Sequence, residues 1–396
     1  MIPISEALDI ITRETPRLSV ESVDVGASVG HVLAEDIVAD MDMPPFDRAQ
    51  MDGYAVIAAE TENAPVELKI IGESAAGRGW HNKMNAGEAV RIMTGAPVPA
   101  GADAVQKVEL TSEASGTVEI EKSVRVGQSI VARGDEIRKG EAVFSAGTVI
   151  SENMIASLAA FGYAKVSVGK RPRVAILPTG TEIVEVNEKP GPDQIRNSNA
   201  AMLKAFAAKF GTATTLPIAR DDIDELKNTI NKAVETNDVL VITGGVSVGK
   251  YDLTKEALRS LGADIFFERL RLKPGKPAVF ARLGNALVFG LPGNPVSTAV
   301  TFYLFVRKAM LLMQGAGQSD LKPGYAILTR SGKGAKDRDS YLPATLKTGN
   351  GGHLFAEPLK WGGSSDFVGF ARAEALIIVP AGQSFDEGDV VEIVFS

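Results

Sequence analysis

Between the apolar run Asp238-Val239-Leu240-Val241-Ile242 and the segment Thr254–Leu261 the chain reads Thr243-Gly244-Gly245-Val246-Ser247-Val248-Gly249-Lys250-Tyr251-Asp252. The run before this stretch predicts a buried strand, and the segment after it a helix that Asp252 or Thr254 is placed to cap. Glycines let a backbone come close to a ligand, and free N–H groups at a helix N-terminus favour an anion. Asp252 adds a carboxylate to the same turn, and a phosphate beside a carboxylate points to a divalent cation between them.

Four further stretches sit where strands should end: Pro178-Thr179-Gly180-Thr181-Glu182, Arg220-Asp221-Asp222, Lys273-Pro274-Gly275-Lys276-Pro277 and Leu291-Pro292-Gly293-Asn294-Pro295. In a parallel sheet such loops converge on one rim. That rim offers backbone donors, two lysines for phosphate and carboxylates for a hydrated cation. Taken singly, each has a plainer explanation. The glycine turn serves as a tight connection, Asp221-Asp222 as an N-cap, the lysines as solvated charges and Pro292–Pro295 as a rigid turn into a helix. Their convergence favours binding or transfer at a phosphorylated, nucleotide-bearing small molecule. A second concentration of unusual residues, Pro44-Pro45-Phe46-Asp47-Arg48-Ala49-Gln50-Met51-Asp52-Gly53-Tyr54, precedes Arg91-Ile92-Met93-Thr94-Gly95-Ala96-Pro97. Asp-Gly-Tyr favours a turn that sets a carboxylate beside an aromatic ring, although both stretches alone read as structural turns.

The texture of the chain predicts the scaffold behind these loops. Ile4–Glu14 has helical apolar spacing. From Val20 to Gly169 short β-rich runs (Val66–Gly72, Ala89–Met93, Ala104–Glu109, Thr117–Ile120) predict an all-β region. Arg173 opens a strand–helix alternation with strands at Arg173–Leu177, Thr214–Ile218, Asp238–Ile242, Ala263–Phe267, Ala278–Ala281 and Ala286–Phe289. Its helices are Asn199–Phe210, Ile223–Glu235 and a long one at Val296–Gln314. This predicts a mostly parallel, three-layer α/β domain. Leu321–Ser396 returns to β texture, as a small barrel or a sandwich.

At 396 residues the chain is expected to form two to four domains. Its 42 basic and 49 acidic residues give a net charge of −7, which argues against generic nucleic-acid or anionic-membrane binding. No apolar run reaches the length of a membrane span, and the N-terminus lacks the pattern of a signal peptide, which points to the cytoplasm. With no cysteine, disulfides, thiolate metal sites and cysteine nucleophiles are excluded. The three histidines, His31, His81 and His353, are scattered, which argues against a histidine-based centre.

Together these stretches resemble the MoeA family, the molybdopterin molybdenumtransferases of molybdenum-cofactor synthesis, to which the E domain of gephyrin is also similar. The resemblance is carried by Pro-Pro-Phe-Asp…Met-Asp-Gly-Tyr-Ala (44–55), Ile-Met-Thr-Gly-Ala-Pro-Val-Pro (92–99) and Pro-Thr-Gly-Thr-Glu (178–182). It continues in Gly-Gly-Val-Ser-Val-Gly (244–249), Lys-Pro-Gly-Lys-Pro (273–277) and Leu-Pro-Gly-Asn-Pro-Val (291–296), six motifs in the family's order. It implies a multidomain chain: an extended N-terminal domain of residues 1–45 with 140–170, and an inserted β-rich domain of residues 46–139. An adenylyltransferase-like α/β molybdopterin-binding domain (171–316) and a C-terminal β-barrel domain (317–396) complete it.

The implied reaction inserts molybdate into adenylylated molybdopterin and releases AMP with Mg²⁺ assisting, in a homodimer whose site is shared between subunits. On this resemblance Asp52 and Thr94 approach the α/β rim of the partner subunit and position molybdate. Glu182, Asp221 or Asp222, and Asp252 hold Mg²⁺. Gly244, Gly245, Ser247 and Gly249, with Thr179, Gly180, Pro292, Asn294 and Pro295, cradle phosphate or pterin. Lys273 and Lys276 neutralise the charge that develops as AMP leaves, and Ser364 lies near the pterin. The molybdopterin adenylyltransferase is an expected contact partner. The chain departs from the family at Lys250, at Glu136 and at Asn197, where acidic Asp or Glu, Asp, and Asp are usual. Arg338 stands in for a family arginine in a loosely matching last domain. Two other readings compete: an adenylyltransferase or nucleotide pyrophosphatase using the α/β domain alone, and a scaffold of the kind that clusters membrane receptors.

Overall fold

The computed structural model describes residues 1–245, 253–360 and 363–395. They form two compact units, one of Asp36–Ser145 with Ala156–Ala164, the other of Met1–Glu35, Ala146–Ile155 and Lys165–Ser396. Helix α1 (Ile4–Glu14) lies where its spacing predicts and buries Ile4, Ala7 and Ile11, one apolar stripe.

The smaller unit is built on a six-stranded sheet of β1 (Gly53–Val56), β2 (Val66–Ser74), β3 (Glu88–Ile92), β4 (Ala104–Lys107), β5 (Thr111–Ala114) and β6 (Thr117–Ile120). The strand order is β4-β1-β3-β2-β6-β5. Tyr54, Val56, Leu68, Val118 and Ile120 pack on one face and Ala55, Val90, Ile92 and Val105 on the other. Because β1 is buried on both faces, the two loops around it are held from every side. The expectation of an all-β region up to Gly169 is corrected by α2 (Met154–Ala160). Its alanine-rich run has strong helix propensity, and Met154 and Leu158 bury one turn apart.

In the larger unit, β7 (Arg173–Pro178), β8 (Thr212–Thr215), β9 (Val239–Thr243), β10 (Asp264–Arg269), β11 (Pro277–Leu283) and β12 (Ala286–Leu291) form a second six-stranded sheet. The order is β8-β7-β9-β12-β11-β10, parallel from β8 to β12, with β11 antiparallel to both neighbours. Strand β8 begins two residues before the predicted Thr214, because pairing starts at Thr212 directly after Gly211.

Alternate residues of the central strands face opposite cores. Val174, Ile176, Val239, Val241, Leu287 and Phe289 pack against α3 (Ser198–Ala207) and the long helix α6 (Pro295–Met313). Ala175, Leu177, Leu240, Ile242 and Val288 pack against α4 (Ile223–Thr236) and α5 (Leu253–Ser260). This is the three-layer arrangement, and double-sided burial is why the strands read as unbroken apolar runs.

Helix α5 starts at Leu253, so Thr254 lies inside its first turn and is not its cap. Helix α6 (Pro295–Met313) runs 19 residues through a π-helical turn at Phe302–Val306. It corrects the reading that no segment reaches spanning length. By length and composition it could cross a membrane, but 83% of its apolar 18-residue stretch is buried, which makes it a core helix here.

The C-terminal segment forms β13 (Pro323–Leu328), β14 (Asp339–Thr348), β15 (Leu354–Pro358), β16 (Ala375–Val379) and β17 (Val390–Phe395). These close as β14-β15-β13-β17-β16 and back to β14, a barrel and not a sandwich. Ala326, Ala344, Ala356 and Ala375 on its inner face leave room for so few strands to close.

Candidate active site

The rim at the carboxyl end of the second sheet is assembled by register. Pro178 pairs with Thr243, and Thr243 with Leu291, so three strands end side by side in one row. The loops beginning at Thr179, Gly244 and Pro292 therefore start as neighbours. Strand β10 runs in the same direction as these strands and β11 returns from the same end, which leaves Lys273–Lys276, the loop between them, on this rim. Both lysines are solvent-exposed, and the Lys276 charge is felt by Asp337.

Hydrogen bonds tie the loops together. Thr179 donates its backbone N–H to Thr243 O at 2.9 Å, Gly180 to Ala219 O at 3.2 Å and Gly244 to Leu291 O at 3.3 Å. Gly244 has φ +94°, a conformation L side chains rarely adopt, and an added Cβ would stand 2.5 Å from Thr179 O. Gly245 follows at φ +61°. Past Pro292, the Thr298 hydroxyl donates to Pro292 O at 2.5 Å, fixing the turn that enters α6 behind Pro295. Asn294 Nδ2 donates to Ser364 Oγ at 2.7 Å, and Val296 N–H to Ser364 O at 3.1 Å. Ser364, distant in sequence, is thus brought to the rim. A cavity of about 760 Å³ opens here, walled by Thr179, Glu182, Thr243, Gly244, Gly293, Asn294 and Pro295.

The acidic residues take different positions. Asp222 caps α4, its Oδ1 accepting from Asp224 N–H at 2.9 Å and Glu225 N–H at 2.8 Å. Such a cap is typically worth about 1 kcal/mol. Asp221 accepts from the Thr181 hydroxyl at 3.3 Å, so this carboxylate faces the turn that carries Glu182. Glu182 folds back so that its carboxylate covers the position a Cβ on Gly180 would take. Among the described residues no three Asp, Glu or His side chains converge on one point. Ser247, Gly249, Lys250 and Asp252 lie outside the described residues.

Sequence reasoning did not assign Asn199 to the site. Its amide Nδ2 donates to Gly293 O at 2.6 Å and to Thr243 Oγ1 at 3.1 Å, bridging two rim loops, while its Oδ1 is buried without a partner. The available signal was its place at the start of a helix, like the other rim loops.

In the smaller unit, Asp52 and Thr94 do meet, from loops 42 positions apart. Thr94 donates its backbone N–H at 2.6 Å and its hydroxyl at 2.9 Å to Asp52 Oδ1. These two bonds, the backbone one first, hold the Asp52 carboxyl below its ordinary 3.8. Asp52 therefore stays ionised below the usual carboxylate range, and the contact is lost only as pH falls through that lowered value. In an NMR titration, Thr94→Ala is expected to leave the Asp52 midpoint below 3.8, because the larger cause, the backbone N–H, remains. A return to the ordinary value would refute that ranking. The aromatic ring of this turn goes elsewhere than the sequence implies: Tyr54 enters the core, and the carboxylate its hydroxyl meets is Glu113.

The family model described as MoeA N-terminal region (domain I and II) matches residues 2–162. The probable molybdopterin binding domain matches 175–311, and the MoeA C-terminal region (domain IV) matches 325–395. A molybdopterin molybdenumtransferase of Staphylococcus epidermidis is 33% identical, covering 100% of this chain and 96% of its own. One from Staphylococcus aureus is 34% identical over the same shares. The chain belongs to the MoeA family. The solved structure of the molybdopterin biosynthesis MoeA protein from Pyrococcus horikoshii OT3 agrees in fold, with a TM-score of 0.87, 31% identity and full coverage of both chains.

For a MoeA-family chain, two departures gain a physical account. Asn197, where an Asp is usual, caps α3 by accepting from Ala200 N–H, a task either side chain performs. Glu136 reaches Arg48 at 3.7 Å across an exposed surface. Arg338 hydrogen-bonds the adjacent Asp337 at 3.2 Å.

Proposed function

We infer that the protein is a molybdopterin molybdenumtransferase that inserts molybdate into adenylylated molybdopterin and releases AMP. The observation that carries this reading is the joined rim of Thr179, Gly244, Pro292 and Asn294, together with the full-length match to relatives named for that transfer. In balanced form, two thiols of the pterin side chain bind molybdenum, and their two protons leave with one oxo group as water. Water then cleaves the phosphoanhydride to AMP and the phosphate of the pterin.

Each residue has a role in this scheme. Thr179, Gly180, Gly244, Gly245, Asn294, Pro295 and Ser364 orient the phosphate and the pterin through rigid backbone and amide groups. Lys273 and Lys276 offset the negative charge that gathers as AMP departs. Asp52, held ionised by Thr94, takes a thiol proton and keeps molybdate in line. Oxygen donors suit Mg²⁺, which is commonly held by one or two carboxylates plus substrate phosphates. Glu182 and Asp221 fit that pattern in kind, and bound Mg²⁺ would screen the phosphoanhydride charge. Asp222 is committed to capping and contributes through the position of α4. The same reading has the chain acting in the cytoplasm as a homodimer. The turns of one copy then serve the rim of the other, with the molybdopterin adenylyltransferase handing over its product. It also divides the two compact units into the four domains expected from the sequence.

Supplying the purified chain with molybdate and adenylylated molybdopterin should release AMP in proportion to molybdate. Supplying ATP and molybdopterin should yield no adenylylated product. Appreciable adenylylation would replace this reading with that of a nucleotidyltransferase.

A further inference from the structure

Asp52 and Thr94 are both exposed, and the hydrogen bonds that join them compete with water. Their alignment must therefore come from the strands that carry the two loops. Asp52 stands directly before β1, and Thr94 two residues after β3. The two strands pair over three positions, Gly53 with Ile92, Tyr54 with Arg91 and Ala55 with Val90. In so short a ladder the cross-strand side chains decide how firmly its end is held. Here they share one anchor. The Tyr54 hydroxyl donates to Glu113 Oε2, and the Arg91 guanidinium forms an ion pair with the same oxygen. That guanidinium also lies over the Tyr54 ring, 5.7 Å from its centroid. Tyr54 is buried and both charged side chains are part-buried, so the three groups are partly shielded from water. Glu113 does not come from a neighbouring strand. It lies on β5, at the end of the sheet, with β2 and β6 between β5 and β3. At about 4.8 Å per strand a flat sheet would set β5 about 14 Å from β3, and side chains standing perpendicular to it would not meet. The sheet curls until they do, and the carboxylate closes it across the core face that holds Tyr54, Val56, Leu68, Val118 and Ile120. A main-chain bond, Val108 N–H to Asp52 O at 3.0 Å, ties Asp52 to the end of β4 but does not touch β3.

We propose that Glu113 is a positioning residue for the transfer: by binding Tyr54 and Arg91 at once it locks β1 against β3 and keeps Asp52 and Thr94 aligned. The use of the aligned pair in the reaction rests on the role given to Asp52 above, while the lock itself rests on the geometry of the smaller unit. Through-space charge does not explain the link. The Asp52 carboxyl is governed by its two bonds from Thr94, with burial opposing, and among the described residues neither Glu113 nor Arg91 acts on it. A change at Glu113 therefore reaches the Asp52 carboxyl only by moving it relative to Thr94.

The test compares Glu113→Ala, Glu113→Gln and Tyr54→Phe in the full chain, each followed by NMR titration of Asp52 and by molybdate-dependent AMP release. Glu113→Ala loses both bonds. It is expected to raise the Asp52 midpoint towards 3.8 and to lower kcat about tenfold, the scale of a fractional displacement at a positioning site. Glu113→Gln keeps an amide oxygen for both partners and is expected to restore the midpoint and most of the activity. Tyr54→Phe keeps the ring and drops one bond. It is expected to fall between the two, and it carries the test if Glu113→Ala does not fold. In an Asp52→Ala background, Glu113→Ala should cost no further activity, because a residue that acts through Asp52 then has nothing left to position. The proposal is overturned if Glu113→Ala and Tyr54→Phe keep the wild-type Asp52 midpoint, even where the melting temperature falls, since the contact is then structural only. It is equally overturned if Glu113→Gln is as impaired as Glu113→Ala, since charge and not the bond then matters, or if the double variant loses activity beyond Asp52→Ala. The role of Asp52 fails separately, if Asp52→Ala keeps full turnover while the midpoints move as stated.

Discussion

Asp52→Ala is expected to reduce molybdate-dependent AMP release by about a hundredfold or more, the usual scale for losing a positioned proton acceptor. The fold should survive, because Asp52 is exposed and its side-chain hydrogen bonds run to Thr94, from a loop whose strands are held by the two cores behind them. The melting temperature should stay within a few degrees of wild type. Asp52→Asn separates the two tasks of the side chain. The amide oxygen still accepts from Thr94 and preserves the turn, but it no longer takes a proton. If charge is what matters, Asn is nearly as damaging as Ala; if only turn geometry matters, Asn restores most of the activity. Full turnover in Asp52→Ala would remove this residue from the mechanism.

Gly244→Ala is the second large effect, and it acts on the other half of the site. At φ +94° its Cβ would stand 2.5 Å from Thr179 O and 2.9 Å from Thr179 Oγ1. An alanine held in such a conformation is strained by about 1–3 kcal/mol. Neither neighbour can yield cheaply. Thr179 O is main chain, and the Thr179 N–H is engaged with Thr243 O. The turn must therefore part from the 178–182 loop, and displacements near about 1 Å at a positioning site cost about a hundredfold in rate. We expect a loss of AMP release of that order together with a lower urea midpoint. Thr179→Ser, which keeps the carbonyl in place, should not rescue it. A Gly244→Ala enzyme of wild-type activity and midpoint would show that the rim tolerates movement and is not the preorganised cradle described.

Legibility differs from residue to residue. The row formed by Pro178, Thr243 and Leu291 could be read because strands buried on both faces leave unbroken apolar runs, and in a parallel sheet each such run delivers the chain into a rim loop. Of the glycine turn, Gly244 and Gly245 take the left-handed backbone that glycine suits, and residues 246–252 lie outside the described residues. Helix α1 was legible from its apolar spacing. Asn199 was not, since an Asn at a helix start reads as a cap, and that position proved to be held by Asn197. The Asp221-Asp222 pair could not be divided by sequence. Only backbone geometry shows that Asp222 caps α4 while Asp221 meets Thr181.

The layer architecture, the loops that meet at the rim and the family to which the chain belongs were all legible in the order of residues. Each is encoded in periodicity, turn residues or motif order within a few positions. Three-dimensional packing settled what those loops touch. Ser364 reaches Asn294 across 70 positions, and Phe367 joins Phe206 and Tyr303 in one pocket. The last five strands chose a closed barrel over a sandwich through the β14–β16 pairing. Such contacts depend on strand register and chain closure, which balance many weak interactions over the whole fold and leave no local mark in the residues that make them.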